Sequence, residues 1–99
     1  MIKKRVSPTG RVVRVFFELP GDAVEEEAAV VGSFNDWSEE GEPMTYVKSR
    51  DVWKAGVSFT PGTTIEFRYR VDGSTWQNEA DADRYVPNPY FGKNSVVDL

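Results

Sequence analysis

Ninety-nine residues with a formal net charge of −4, no cysteine and no histidine are enough for one domain with a single core. The missing residue types exclude disulfides, thiol chemistry and histidine-based triads, and they leave a metal only carboxylates to bind. The acidic balance disfavours a nucleic-acid partner, no run of ~18 apolar residues is present to span a membrane, and the lack of cysteine fits a cytoplasmic setting.

Residues 1–10 read as an irregular arm. Lys3, Lys4 and Arg5 are solvated there, no apolar stretch follows them as in a signal peptide, and Pro8 and Gly10 close the segment. The folded domain is expected over 11–99. Arg11 to Leu19 alternates, with Val13, Val15, Phe17 and Leu19 in one phase, and ends at Pro20-Gly21, so it is a strand. Asp22 and Glu25 have capping-box spacing, which allows at most one helical turn before a strand that starts near Glu27 and runs through Val30 and Val31. Asn35 and Asp36 are turn formers, with Trp37 just beyond them.

The segment from Ser38 to Pro43 is polar and irregular. Met44 to Ser49 and Val52 to Phe59 read as strands, the second with Trp53, Ala55, Val57 and Phe59 in phase. Pro61-Gly62 fits a type II turn. The strictest alternation follows, with Ile65, Phe67, Tyr69 and Val71 on one side and Glu66, Arg68 and Arg70 on the other. Asp72-Gly73 supplies a tight turn, and Trp76 comes just after it. Pro87 and Pro89 make the segment from Tyr85 to Tyr90 extended and unsuited to helix or ladder, and Asn94 to Leu99 is a last short strand. Short strands with close turn signals and no long helical pattern predict an all-β fold, an immunoglobulin-like antiparallel sandwich of one domain. Its expected core is Val13, Val15, Phe17, Val31, Trp53, Val57, Phe59, Ile65, Phe67, Tyr69, Val71 and Val97.

The sixteen acidic residues show no spacing that sets two carboxyls across a cleft, as glycoside hydrolysis needs. Neither Asp81 with Asp83 nor Asp36 with Glu39 and Glu40 has the glycine-punctuated spacing of a calcium loop. No catalytic residue, metal site or cofactor is therefore expected, and the chain does not read as an enzyme. Of the three tryptophans, Trp53 is in core register, whereas Trp37 and Trp76 each sit at a turn. Two exposed indoles with an arginine nearby suit a flat sugar, whose C–H face packs on an indole while its hydroxyls reach a guanidinium. The same two indoles would equally cap the ends of a sandwich.

Three stretches, 30–37 (VVGSFNDW), 62–73 (GTTIEFRYRVDG) and 85–97 (YVPNPYFGKNSVV), in this order, resemble carbohydrate-binding module family 48. That family comprises isoamylase amino-terminal domains and the glycogen-binding domain of the AMP-activated protein kinase β subunit. The resemblance covers roughly residues 11–99 and implies an early-set immunoglobulin-like sandwich that binds α-1,4-linked glucan such as glycogen, maltooligosaccharides or β-cyclodextrin. It implies stacking on Trp37 and Trp76, sugar-hydroxyl contacts from Arg68 and Asn94, and an apolar residue threading the glucan, for which Tyr90 or Phe91 serves. Arg68 stands where the kinase-subunit version has lysine, and the turn before Trp76 is one residue longer. The alternative that the resemblance carries is a packing domain without sugar binding, docked on a glucan-active enzyme or a kinase.

Overall fold

Every second residue of Thr64–Val71 is buried, and this strand, β7, is the spine of one of two sheets. A computed structural model describes residues 1–89 and 92–99. In chain order the other strands are β1 (Ile2–Val6), β2 (Val13–Pro20), β3 (Ala28–Gly32), β4 (Glu42–Pro43), β5 (Thr45–Val47), β6 (Val52–Phe59), β8 (Thr75–Gln77), β9 (Arg84–Pro87) and β10 (Lys93–Asp98). One sheet runs β1–β2–β6–β5, the other β4–β3–β7–β10–β9, and all neighbours are antiparallel. One edge of β7 holds β3 along residues 67–71. The other holds β10 along residues 64–67 and the short β8 along 69–71. The result is an all-β immunoglobulin-like sandwich, as the strand pattern predicts, and among the described residues no helix is long and apolar enough to cross a membrane.

The core lies between the sheets. Val13, Val15, Phe17 and Leu19 of β2 face Ala28 and Val30 of β3, Ile65, Phe67, Tyr69 and Val71 of β7, and Val97 of β10. Phe17 meets Phe67 edge-on at 4.9 Å between ring centroids, and Phe67 meets Tyr69 at 5.6 Å. Each such ring contributes about 1.5–3 kcal/mol by its removal from water. Trp53, Val57 and Phe59 are only partly buried against this cluster; the short edge strand β5 pairs with β6 only along Val52 to Lys54. The Tyr69 hydroxyl donates to the buried Glu79 carboxylate at 2.7 Å. Burial first, and the Glu79 charge second, push that hydroxyl far above its usual range, so it stays a donor at any ordinary pH.

Four expectations need correction. Ile2–Val6 is not an irregular arm but strand β1, paired with β2 from Ile2–Phe17 to Val6–Val13. Its cations face solvent because it is a sheet edge, where lysine and arginine discourage further pairing. Val31 is buried but belongs to the opposite face. Val30 pairs with Tyr69 on the core side, while Val31 pairs with Arg68. Pro87 does join a ladder, as the last residue of edge strand β9 opposite Lys93, where no donor is required of it. Glu42–Pro43, expected to be irregular, forms the short β4 against Ala29 and Val30. The single helical turn allowed after Pro20 is a 3-10 turn, Gly21–Ala23.

The β7–β8 turn also fixes the chain before β3. Asp72 and Gly73 both take positive φ, 51° and 82°, and the Asp72 carboxylate accepts backbone N–H groups from Glu26 at 2.7 Å and from Glu25 and Glu27 at 3.2 Å. These bonds, that from Glu26 foremost, hold its pKa below the ordinary aspartate value. Arg50 does the same for the buried Glu18 through two bonds of 3.0 and 3.1 Å. A carboxylate depressed in the folded state stabilises the fold above its unfolded pKa and loses that contribution as pH falls through the folded one. Urea-unfolding midpoints should therefore drop on acidification below about pH 4. Asp72→Ala should be less stable at neutral pH but should lose less on acidification. Equal losses in parent and variant would show that Asp72 has no part in the acid limb.

Candidate functional site

The outer face of the β7 sheet carries the side chains that alternate away from the core. Register sets them in rows. Val31 lies opposite Arg68, and one step on from the Ser95–Phe67 pair Asn94 lies on the other side of Arg68. Arg70 lies opposite Trp76. Above this face opens a cleft of about 650 Å³, lined by Val31, Trp37, Glu39, Glu66, Arg68, Trp76, Asn88, Pro89 and Asn94. Trp37, Arg68, Trp76 and Asn94, far apart in sequence, thus share one cleft. Tyr90 and Phe91, the expected threading residues, lie outside the described residues.

Trp37 reaches the cleft from the turn after β3. Gly32 passes so close to β7 that a β-carbon there would sit 2.3 Å from the Glu66 carbonyl oxygen, so only glycine fits. Phe34 then turns inward against Phe17 and Phe59, at 6.1 and 5.4 Å. The Asn35 side chain clamps the turn from within. Its Oδ1 accepts the Gly32 N–H, and its Nδ2 donates to the Val30 carbonyl, both at 3.0 Å. The Trp37 N–H closes the loop on the Gly32 carbonyl at 2.9 Å. Asp36 and Trp37 take φ of 55° and 57°. The left-handed region is tolerated by aspartate but strained for a bulky residue. The strain presents an indole that stays 40% exposed.

Trp76 is 39% exposed and arrives on β8. The Arg68 guanidinium carbon lies 5.8 Å from its ring centroid, within the range of a cation–π contact. The two outward arginines of β7 differ in their commitments. Arg70 donates from Nε to the Glu39 carbonyl at 2.6 Å and pairs with Glu27 at 3.4 Å. Arg68 has no ion-pair partner among the described residues, and its buried Nε has no hydrogen-bond partner among them. Arg70 ties the Glu39 loop to the sheet; Arg68 offers donors to whatever enters the cleft. Asn94 is more engaged than the sequence suggests. Its Oδ1 accepts from Asn88 at 3.2 Å and its Nδ2 approaches Glu66 at 3.4 Å, leaving one N–H and one lone pair for a ligand.

Sequence reasoning did not single out Asn88, Pro89, Glu39 and Glu66 as lining residues, nor Asn35 as a clamp; only its turn-forming type was legible. With one guanidinium and two carboxylates in the cleft, an anion is disfavoured, and a neutral ligand with hydroxyls and an apolar face is matched. Among the described residues no group of three or more metal-ligating side chains is present.

If Asn35 holds Trp37 in place, Asn35→Ala should leave two backbone groups unsatisfied and cost about 1–3 kcal/mol. It should also broaden or shift the Trp37 indole N–H resonance while leaving that of Trp53 in place. An unchanged Trp37 resonance at parental stability would remove Asn35 from this role.

Comparison with known proteins bears on this cleft. The sequence model of carbohydrate-binding module 48, the isoamylase N-terminal domain, matches residues 23–90. The match takes in Trp37, Arg68 and Trp76, and Asn94 lies just past its end. No curated protein matches the chain. A match over more than half of the 99 residues, on a two-sheet antiparallel sandwich, places the chain in the carbohydrate-binding module 48 family.

Proposed function

We propose that this domain is a non-catalytic module that binds α-1,4-linked glucan, of the glycogen and starch type, by stacking glucose units on Trp37 and Trp76. The reading is carried by one observation: two indoles about 40% exposed share a single cleft with a guanidinium that has no ion-pair partner among the described residues. Each indole face receives the C–H face of a pyranose, and the Arg68 N–H groups donate to adjacent hydroxyls. Maltooligosaccharides and β-cyclodextrin present the same surface as glycogen. A glucan-active enzyme or a kinase is the natural partner of such a module, and the cysteine-free sequence suits a cytoplasmic setting.

An open cleft with few uncommitted polar groups should bind in roughly the micromolar-to-millimolar range. In native gels containing glycogen the domain should be retarded, and cellulose should not capture it. Arg68→Ala should weaken binding about tenfold, the worth of one charged hydrogen bond. Asn94→Ala should cost less, since half of its amide is already used. Raising the salt should change little, because the ligand carries no charge. Unretarded migration together with no NMR response to millimolar maltoheptaose would refute the proposal, and a steep salt dependence would point to an anionic ligand instead.

A further inference from the structure

The main cleft does not end at Trp76. Past that indole lies a second depression of about 310 Å³, lined by Trp76, Glu39, Glu40, Arg70 and Gly73. The two depressions have Trp76 and Glu39 in common, so they abut at the indole. The size is at the lower end for a small-molecule site, enough for one compact unit and not for a long ligand.

The chemistry of this second depression is also that of a neutral polyol. Arg70 is held by the Glu39 carbonyl and by Glu27, and its Nη2 has no hydrogen-bond partner among the described residues. The Glu40 carboxylate has no ion-pair partner among them either, and a carboxylate accepts two neighbouring hydroxyls at once. Its two carboxylates outnumber the one guanidinium, which disfavours an anion, and among the described residues no group of three or more metal-ligating side chains is present. Gly73, at φ 82°, leaves the rim open. A β-carbon there would find nothing nearer than a Glu27 oxygen at 4.0 Å.

We infer that this depression is a subsite for a further glucose unit of the same α-glucan chain, so that the domain senses chain length past Trp76. The inference rests on the main cleft being a glucan site. The sugar sits against the edge of Trp76, donates hydroxyls to Glu40 and accepts from Arg70 Nη2. No bond is made or broken.

Calorimetric titration of maltotriose and maltohexaose against the parent and Glu40→Ala tests it, with amide shifts followed in parallel. Glu40 is exposed, so the variant should fold, and its spectrum away from the site checks this. The parent should bind maltohexaose about tenfold tighter than maltotriose. In Glu40→Ala most of that gain should vanish, leaving the part due to a longer chain's larger number of binding registers. Maltohexaose, but not maltotriose, should shift the Gly73 and Glu40 amides. An undiminished gain in Glu40→Ala, or silent Gly73 and Glu40 amides under saturating maltohexaose, would overturn the subsite and leave the main cleft standing. A parent that binds neither sugar would overturn the glucan reading itself.

Discussion

The phase of β7 is the constraint on which the molecule depends. Ile65, Phe67, Tyr69 and Val71 are almost fully buried between the sheets, and that burial decides which side chains face outward. A slip of one residue against β3 and β10 would bring Arg68 into the core and expose Phe67, a loss of several kcal/mol for the ring alone. The same register brings Val31 and Asn94 to either side of Arg68 and Trp76 across from Arg70. Core and cleft are thus two faces of one strand. A change that shifts the strand's phase would disturb both together.

The departures from good folding practice gather at the cleft. Trp37 holds a left-handed backbone that a bulky side chain adopts at a cost of about 1–3 kcal/mol. Arg68 keeps a buried Nε without a hydrogen-bond partner among the described residues, which also lowers stability. Neighbouring contacts offset both. Phe34 anchors the Trp37 turn in the core and Asn35 bonds its two ends. Asp72 knits the opposite turn to the 25–27 segment. A presented indole and an uncommitted guanidinium serve no purpose in the packed domain itself. They are what a bound sugar would use, and sequences tend to break local rules where they are functional.

How far the sequence revealed this depends on whether the signal was local. The alternation of β7 and β2 and the Asp72-Gly73 turn were legible because period and turn chemistry are local properties. Val31 rather than Val30 was expected in the core because β3 is buried on both sides, and a strand without a wet face has no visible alternation. The cations of β1 resembled a solvated arm because an edge strand and a disordered terminus favour the same residues. Of the four site residues that the structure brings into one cleft, Trp37 and Trp76 were legible from their places at turns, with an outward arginine nearby. Arg68 in particular and Asn94 were legible only through the family-like motifs around them. The contrast between Arg68 and Arg70 was not. It depends on the Glu39 carbonyl, which the chain returns to β7 from a loop about thirty residues away. The second depression was invisible for the same reason, as none of its walls is a motif.

The central claim is that a sugar binds across Trp37 and Trp76 and leaves Trp53 in its packed position. The three tryptophans give three indole N–H signals, two from the cleft and one from the packed position. Their behaviour in a ¹H–¹⁵N correlation spectrum during maltoheptaose titration is the most direct test. The Trp37 and Trp76 signals should move together along one saturation curve, while that of Trp53 stays fixed. Movement of Trp53 with Trp37 and Trp76 silent, or separate saturation curves for Trp37 and Trp76, would contradict a single shared cleft.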